Sequence, residues 1–567
     1  GSSTLWLAET ISSAMSLYLG FDSSTQSLKA TAVRAKNLEV FKRYVVNFDA
    51  ELPHFKTSGG MSASSNPARA TSPVLMWMEA FDVLLGKMKA DEFPFGEVLA
   101  TSGSGQQHGS VYWARGASSL LANLDPVAAL ATQLKGAFAR LESPIWADSS
   151  TGAQCARVEA TVGRSALAKA TGARAYERFT GMQIAKLIEE EPEMYEKCEH
   201  ISLVSSAMCS IFLGAYAPVD TADGSGTNLN NLQEHGGRTW FAPSLEAVAP
   251  GHATGLRARL GPGLCESHRT LGSVSPYFVE RYGFSTTCLV VAWSGDNPCS
   301  LAGLGLQAPG DVAVSMGTSD TMFAMMAAAL PGDDGMVLRN PVDPNSYMGM
   351  LVFKNGSLSR ERVLREACQG KWEAWERMLA ETKPGNGGSV GFYFHSPEIT
   401  PTTGDKSGVF RFDSDDKAVD SFPPAVEVRA AAEGKFLAMR AFAQGIGMDP
   451  AEVKRIIATG GASANRSILQ VLADVFGVSV YTLDQSDSAS LGAAFRACHG
   501  HRCASAPGGF VPFADILSGS CMGYKLAAEP APGAKEVYTK LLPRFLQLQQ
   551  RVLSGFCEGD AKRQRVA

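Results

Sequence analysis

The chain has 567 residues, of which 45% are hydrophobic and 19% charged, with a formal net charge of −5. That length is too great for one compact core and predicts two large domains of a globular protein. The charge balance and the lack of a long basic block offer no nucleic-acid surface, and no run reaches the roughly 18 to 20 apolar residues needed to cross a bilayer.

Residues 1–16 read as an N-terminal extension, an expression remnant or a processed end, because they lack the basic start of a secretory signal. Leu17 to Gly20 is the first clear strand and runs into Asp22-Ser-Ser-Thr-Gln-Ser. Leu28 to Val33 is the second, so the pair predicts a hairpin with a hydroxyl-rich turn. Asp311-Val-Ala-Val-Ser-Met-Gly-Thr-Ser-Asp-Thr-Met-Phe repeats that plan about 290 residues later, which suggests a duplicated architecture. Pro331 to Asn345, Pro384 to Ser389, Pro401 to Asp416 and Ala504 to Phe510 are expected loops, rich in Gly, Pro, Asp or Ser.

Further along, Ile456 and Ile457 lie in a short buried strand, Gly460-Gly461 makes the turn, and a helix starts near Asn465. Its residues Ile468, Val471, Leu472, Val475 and Phe476 fall on one helical face, closed by Gly477. Val478 to Leu483 continues as a strand, which makes this a strand–helix–strand unit of an α/β domain. Val537 to Leu553 has helical spacing.

Eleven cysteines occur without a Cys-x-x-Cys pair, the usage of free thiols in a reducing compartment. A cytoplasmic address is the expectation, with a removed organelle leader as the alternative. Cys498, His499, His501 and Cys503 read as a helix end followed by a loop rather than a tetrahedral metal site, since neighbouring side chains diverge.

A phosphate donor site needs backbone N–H groups, hydroxyls and a carboxylate able to hold Mg²⁺. Asp22 with Ser24 and Thr25 supplies these, and Gly317, Thr318 and Ser319 form a second phosphate-facing turn. Gly460 and Gly461 let a backbone approach a ligand closely, which puts a nucleotide base beside Ala462 and Asn465. Asp296 ends an apolar strand in Ser-Gly-Asp-Asn-Pro, where α/β proteins bind ligands. Taken singly, His108 reads as a structural histidine, Arg178 as a surface cation and Asp296-Asn297 as a strand-end turn.

The order of these three turns resembles the actin–hexokinase–Hsp70 nucleotide-binding superfamily, and within it the FGGY carbohydrate kinases. A P-loop kinase is disfavoured because no Gly-x-x-x-x-Gly-Lys-Ser/Thr occurs. Ser104-Gly-Gln-Gln-His-Gly-Ser, Ala175-Tyr-Glu-Arg-Phe-Thr-Gly and Ser294-Gly-Asp-Asn-Pro are similar to segments of the eukaryotic-type branch that acts on xylulose. Asp223-Gly-Ser-Gly-Thr-Asn resembles a family loop read here as structural. The chain departs from the wider pattern at Gln183 and Ile188 around Lys186, and at Ser150 in Trp146-Ala-Asp148-Ser-Ser150.

The resemblance implies two ribonuclease H-like α/β domains flanking a deep catalytic cleft: 17–275 on the sugar side, 276–520 on the nucleotide side, then a helical tail over 521–567. It further implies ATP-dependent phosphorylation of D-xylulose, with ribulose, glycerol or a non-catalytic sugar sensor as rivals. Asp296 would be the base, with His108, Arg178 and Asn297 on the sugar and Asp22 on Mg²⁺. ATP would lie on Ser24, Thr25, Gly317, Thr318, Ser319, Trp372, Gly460, Gly461, Ala462 and Asn465. Trp372 reads nearly as well as a core tryptophan. The partners implied are the sugar and ATP alone, in a monomer or homodimer.

Overall fold

The computed structural model describes residues 16–483, 487–520 and 522–564, with side chains to 555; nearly all of the expected N-terminal extension falls outside them. The described chain divides into two units. One takes in 16–307, 338–348, 487–520 and 522, and the other 308–337, 349–483 and 523–564.

The first unit opens with β1 (Leu17–Ser23), β2 (Ser27–Arg34) and β3 (Val40–Asn47), an antiparallel meander. Helix α1 (Val74–Ala90) follows, then β4 (Val98–Gly105), parallel to β1. Helix α2 (Val204–Leu213) precedes β5 (Thr270–Ser273), β6 (Leu289–Val291) and the two-residue β7 (Ser294–Gly295), which runs directly into α3 (Asp296–Gly303). The sheet order is β5-β6-β4-β1-β2-β3, with β7 also on β4. Every residue of β1 is buried, as expected of a strand covered on both faces. Phe21 from β1 stacks on Trp293 at 5.7 Å and meets Phe81 of α1 edge-on at 5.6 Å. Burying such side chains stabilises the unit by about 1.5–3 kcal/mol each. Gly103 is required here, because a Cβ on it would overlap the Trp293 ring.

In the second unit β8 (Asp311–Met316) and β9 (Asp320–Met326) form the second hairpin, and β10 (Met336–Arg339) and β11 (Tyr347–Phe353) follow in the same sheet, with 338–339 and 347–348 counted in the first unit. Helices α4 (Ser357–Cys368), α5 (Trp372–Ala380) and α6 (Pro424–Gly445) come next, then β12 (Arg455–Thr459), α7 (Arg466–Phe476) and β13 (Val480–Leu483). Helix α8 (Ser488–Ser505) returns to the first unit, while β14 (Tyr524–Ala528) and α9 (Ala534–Gln564) close the second. The sheet order is β10-β11-β9-β8-β12-β13-β14, with β8 parallel to β12 as β1 is to β4. All five residues of the expected α7 face are buried; Asn465 caps its start and Gly477, at φ +70°, its end.

Four expectations need correction. The main division falls at 307/308 rather than near 275, because β5, β6 and β7 belong to the first sheet. Residues 331–345 and 401–416 are not wholly loop: each holds a strand, Met336–Arg339 and Gly408–Phe412, hidden among turn formers. The tail is not purely helical, since β14 precedes α9. Finally, the Cys498–Cys503 cluster lies inside α8, not at its end. His499 Nε2 there meets the Val511 carbonyl at 2.7 Å, while His501 Nδ1 meets the Tyr18 hydroxyl at 3.0 Å.

Candidate functional site

In the first unit, parallel strands bring their carboxyl ends to one edge. The β1–β4 register sets Asp22 beside Ser104, whose hydroxyl donates to Asp22 Oδ1 at 2.7 Å. Burial pushes the Asp22 carboxyl up to about 6, against the pull of that hydrogen bond and of Lys29. Strand β7 pairs Ser294-Gly295 with Ser104-Gly105, so Asp296 emerges at the first turn of α3, anchored by the buried Trp293 just before it.

Asp296 Oδ1 accepts from Asn297 N at 2.8 Å, Asn297 Nδ2 at 3.1 Å and Gln107 N at 3.4 Å. All of its hydrogen bonds among the described residues go to Oδ1, which leaves Oδ2 for a ligand. Its carboxyl is pushed up to about 7, first by burial and then by the charge of Asp22. A carboxylate poised near neutrality is suited to general-base work.

His108 is buried and sits at φ +70°, a backbone conformation rare outside glycine. Its Nδ1 lies 2.8 Å from the Gly226 carbonyl. A carbonyl can only accept, so Nδ1 carries the proton and Nε2 presents a lone pair. Burial, then the nearby Arg178 charge, depresses the imidazole to about 3, so it is neutral at any physiological pH. Its ring packs on Phe179 at 4.7 Å, and Arg178 lies over Tyr176 at 5.1 Å. Sequence reasoning took the Asp223 loop as scaffold, yet that loop supplies the Gly226 carbonyl. Gln107 and Ser104 were likewise missed, although they flank His108 and Gly105 in the quoted motif.

The turn of the first hairpin is largely self-satisfied. Ser24 Oγ donates to the Ser27 carbonyl at 2.9 Å, and Thr25 Oγ1 accepts from Trp146 Nε1 at 2.8 Å while keeping its own proton. The two departures from the family pattern meet in one buried network. Gln183 Nε2 donates to Asp148 Oδ1 at 2.9 Å, and Lys186 donates to the Ser150 hydroxyl.

The second unit carries a cavity of about 530 Å³, within the usual range for small-molecule sites. Gly317, Thr318, Trp372, Gly461, Ala462 and Asn465 line it; Ser319 and Gly460 are not among its lining. Arg360 fixes the β8–β9 turn: it pairs with Asp320 at 2.6 and 2.8 Å and donates to the Gly317 carbonyl at 3.2 Å. Asn465 divides its amide, with Oδ1 accepting from Ser467 N and Ile468 N at 3.0 and 3.1 Å and Nδ2 reaching Glu376 at 3.2 Å.

The glycine pair splits as well. Gly460 has φ +82°, and a Cβ there would come within 2.5 Å of the Met316 carbonyl, whereas Gly461 faces open space. The close approach expected of Gly460 is therefore to β8, not to a ligand. Trp372 is 38% exposed, so it is not the core tryptophan of α5; Trp375, fully buried, is.

Comparison with known proteins agrees with this division. Residues 141–303 match the N-terminal domain of the FGGY family of carbohydrate kinases, and 312–501 its C-terminal domain. The xylulose kinase of Rattus norvegicus is 49% identical over 537 residues, covering 94% of this chain and 97% of that protein. Xylulose kinase 2 of Arabidopsis thaliana is 48% identical over 515 residues, covering 89% and 90%. Among solved structures, xylulose kinase from Rhodospirillum rubrum superposes with a TM-score of 0.75 at 19% identity, covering 95% of this chain and 99% of that one. At that identity the likeness speaks for the fold.

Proposed function

The chain belongs to the FGGY family of carbohydrate kinases, and from that premise we propose that it uses ATP to phosphorylate D-xylulose, giving D-xylulose 5-phosphate and ADP. The first unit is the sugar side and the second the nucleotide side. The observation that carries the reading is Asp296: a carboxylate tuned to about 7, with Oδ1 tied down and Oδ2 open, near a neutral histidine and an arginine. The names of the relatives point to the same sugar.

Asp296 Oδ2 accepts the proton of the terminal sugar hydroxyl as that oxygen attacks the γ-phosphorus. The P–O bond to the leaving ADP breaks, and the proton stays on Asp296 until solvent removes it. His108 Nε2 accepts a hydrogen bond from a sugar hydroxyl, and Arg178 and Asn297 donate to sugar oxygens. Such transfer depends chiefly on positioning and charge stabilisation.

In the second unit the Gly461 amide and the Thr318 hydroxyl hold phosphate oxygens, and Gly317, whose N–H donates to the Ser319 carbonyl at 3.3 Å, shapes the turn that presents them. The base lies over Ala462, against Trp372 and Asn465. Ser24 donates both its N–H and its hydroxyl to the Ser27 carbonyl and so shapes the turn, while Ser319 binds through backbone N–H and Thr25 through its hydroxyl proton. Gly460 contributes by shaping the turn.

Asp22 fits a Mg²⁺ ion: it is a buried carboxylate whose charge works against that of Asp296, a repulsion that a divalent cation relieves. When bound, Mg²⁺ neutralises phosphate charge. The nine described cysteines are all free and buried, the usage of a reducing compartment, and a cytoplasmic address belongs to the proposal.

A coupled ADP-release assay over a panel of sugars tests the reading, with D-xylulose expected to give the highest kcat/KM. Faster turnover of ribulose or glycerol overturns the substrate assignment.

A further inference from the structure

We infer that Gln107 and Asp223 are positioning residues for Asp296, acting through Asn297 and the backbone at Gly295. The inference rests on Asp296 being the base of the proposed reaction.

Gln107 bears on the base in two ways, once directly and once through Asn297. Its backbone N–H reaches Asp296 Oδ1 at 3.4 Å, and its side-chain Oε1 accepts from Asn297 Nδ2 at 2.8 Å. That same Asn297 amide lies 3.1 Å from Asp296 Oδ1. Two of the donors on Oδ1 are thus placed by Gln107, and the direction in which Oδ2 points follows from where they sit. Rotating the carboxylate would break both.

Asp223 stands behind Gln107. It is buried, and its Oδ2 accepts from Ser205 Oγ at 2.5 Å. Asp223 Oδ1 and Gln107 Nε2 are both buried without completing a hydrogen bond, yet the Gln107 amide lies close enough to ease the Asp223 acid. Burial, and then the charge of Asp220, holds that acid far above the usual carboxylate range. Both causes favour the protonated form of the acid, which donates as well as accepts.

Gly295 supplies an independent sign that these side chains bear on the base. Its φ of −70° and ψ of 159° suit any residue, so no conformational need for glycine exists. The need is steric. A Cβ at 295 would overlap the Gln107 side chain and lie 2.7 Å from Asp223 Oδ1. Gln107 and Asp223 therefore pack directly on the peptide that delivers Asp296, and a misplacement of about 1 Å there can cost on the order of a hundredfold.

The test is steady-state kinetics on the full chain. Gln107→Leu keeps the bulk and removes both polar atoms; kcat is expected to fall about 10- to 100-fold while KM for sugar and for ATP stays within about threefold. In an Asp296→Asn background the same change is expected to add no further loss, because Gln107 acts only through the base. Asp223→Ala is expected to match Gln107→Leu, and Asp223→Asn, which keeps shape and hydrogen bonding, to recover most of the loss. If Asp223→Ala does not fold, the Gln107→Leu pair of measurements stands alone.

Three results overturn the inference: a folded Gln107→Leu enzyme with kcat within about threefold of wild type, a Gln107→Leu loss that persists without Asp296, or an Asp223→Asn enzyme no better than Asp223→Ala. Ratios are taken with whichever sugar the wild-type chain turns over fastest. A wrong sugar then sinks the substrate reading and leaves this one standing, whereas unchanged ratios do the reverse.

Discussion

The β1–β2 and β8–β9 hairpins share one plan, a strand, a turn rich in hydroxyls and a returning strand, but they use the turn differently. In the first, the Ser24 hydroxyl is consumed inside the turn and Thr25 is engaged by Trp146. In the second, the turn is held from behind by Arg360, and Thr318 is left facing the cavity. The first hairpin offers its chemistry before the turn, at Asp22, where the strand end meets Ser104. A repeated fold element therefore divides the work: carboxylates gather in the first unit and open donors in the second.

The sharpest way to break that comparison is Asp296→Asn. Turnover is expected to fall about 10²- to 10⁴-fold, with ATP affinity unchanged by calorimetry, because the change leaves the second unit intact. Near-normal turnover would end the division of labour proposed here.

Acidity should act on the same carboxylates. With Asp296 raised to about 7, kcat/KM should drop as pH falls through 7 and be down roughly a hundredfold by pH 5, and protonation of Asp22 near 6 should add about tenfold more. Both folded-state values lie above the ordinary carboxylate range, so the fold holds these protons more tightly than the unfolded chain. The groups therefore cost stability as pH rises from about 4 to 7, the reverse of a salt-bridged aspartate. A pH–rate profile paired with thermal melts checks both signs.

A smaller loss is expected from His108→Ala. Leaving a sugar hydroxyl unpaired costs about 1–3 kcal/mol, roughly 5- to 150-fold in kcat/KM for xylulose. The advantage over ribulose and glycerol should narrow, measured on protein still folded by circular dichroism.

The smallest expected effect compares the hairpins directly. Thr318→Ala should weaken ATP binding by about 1 kcal/mol, roughly fivefold, and Ser24→Ala by much less, because the Ser24 hydroxyl is already spent. Equal effects by isothermal titration would show that the two turns serve the nucleotide alike.

Much of this was legible in the sequence, for local reasons. Both hairpins declare themselves by short apolar strands broken by hydroxyls and glycine, and α7 by its apolar face, its Asn465 cap and its closing Gly477. What escaped depends on partners far along the chain. Asp223 reads as scaffold and Gln107 takes no role, because their meaning lies in Gly295 and Asn297, some 70 to 190 residues away. The difference between Gly460 and Gly461 is invisible in a Gly-Gly pair, since only the strand opposite distinguishes them. Strand β10 hides among turn formers because pairing with its one neighbour, β11, and not local propensity, holds it.

Helix α8 carries a consequence for the order in which the molecule is made. A side chain at Gly492 would run into the Cys299 carbonyl, one at Gly303 into the Ser488 carbonyl, and one at Gly20 into Ser490 and Ala494. The first strand of the chain and the helix bearing Asp296 are thus closed by residues made some 180 positions after the first stretch of their unit ends. At synthesis rates of about 5–20 residues per second, the nascent first unit waits roughly 10–40 s with that face of its sheet bare. During that interval β8 to β13 of the second sheet are made, so each unit is closed by chain made after the other's long stretch: the first by α8, the second by β14 and α9.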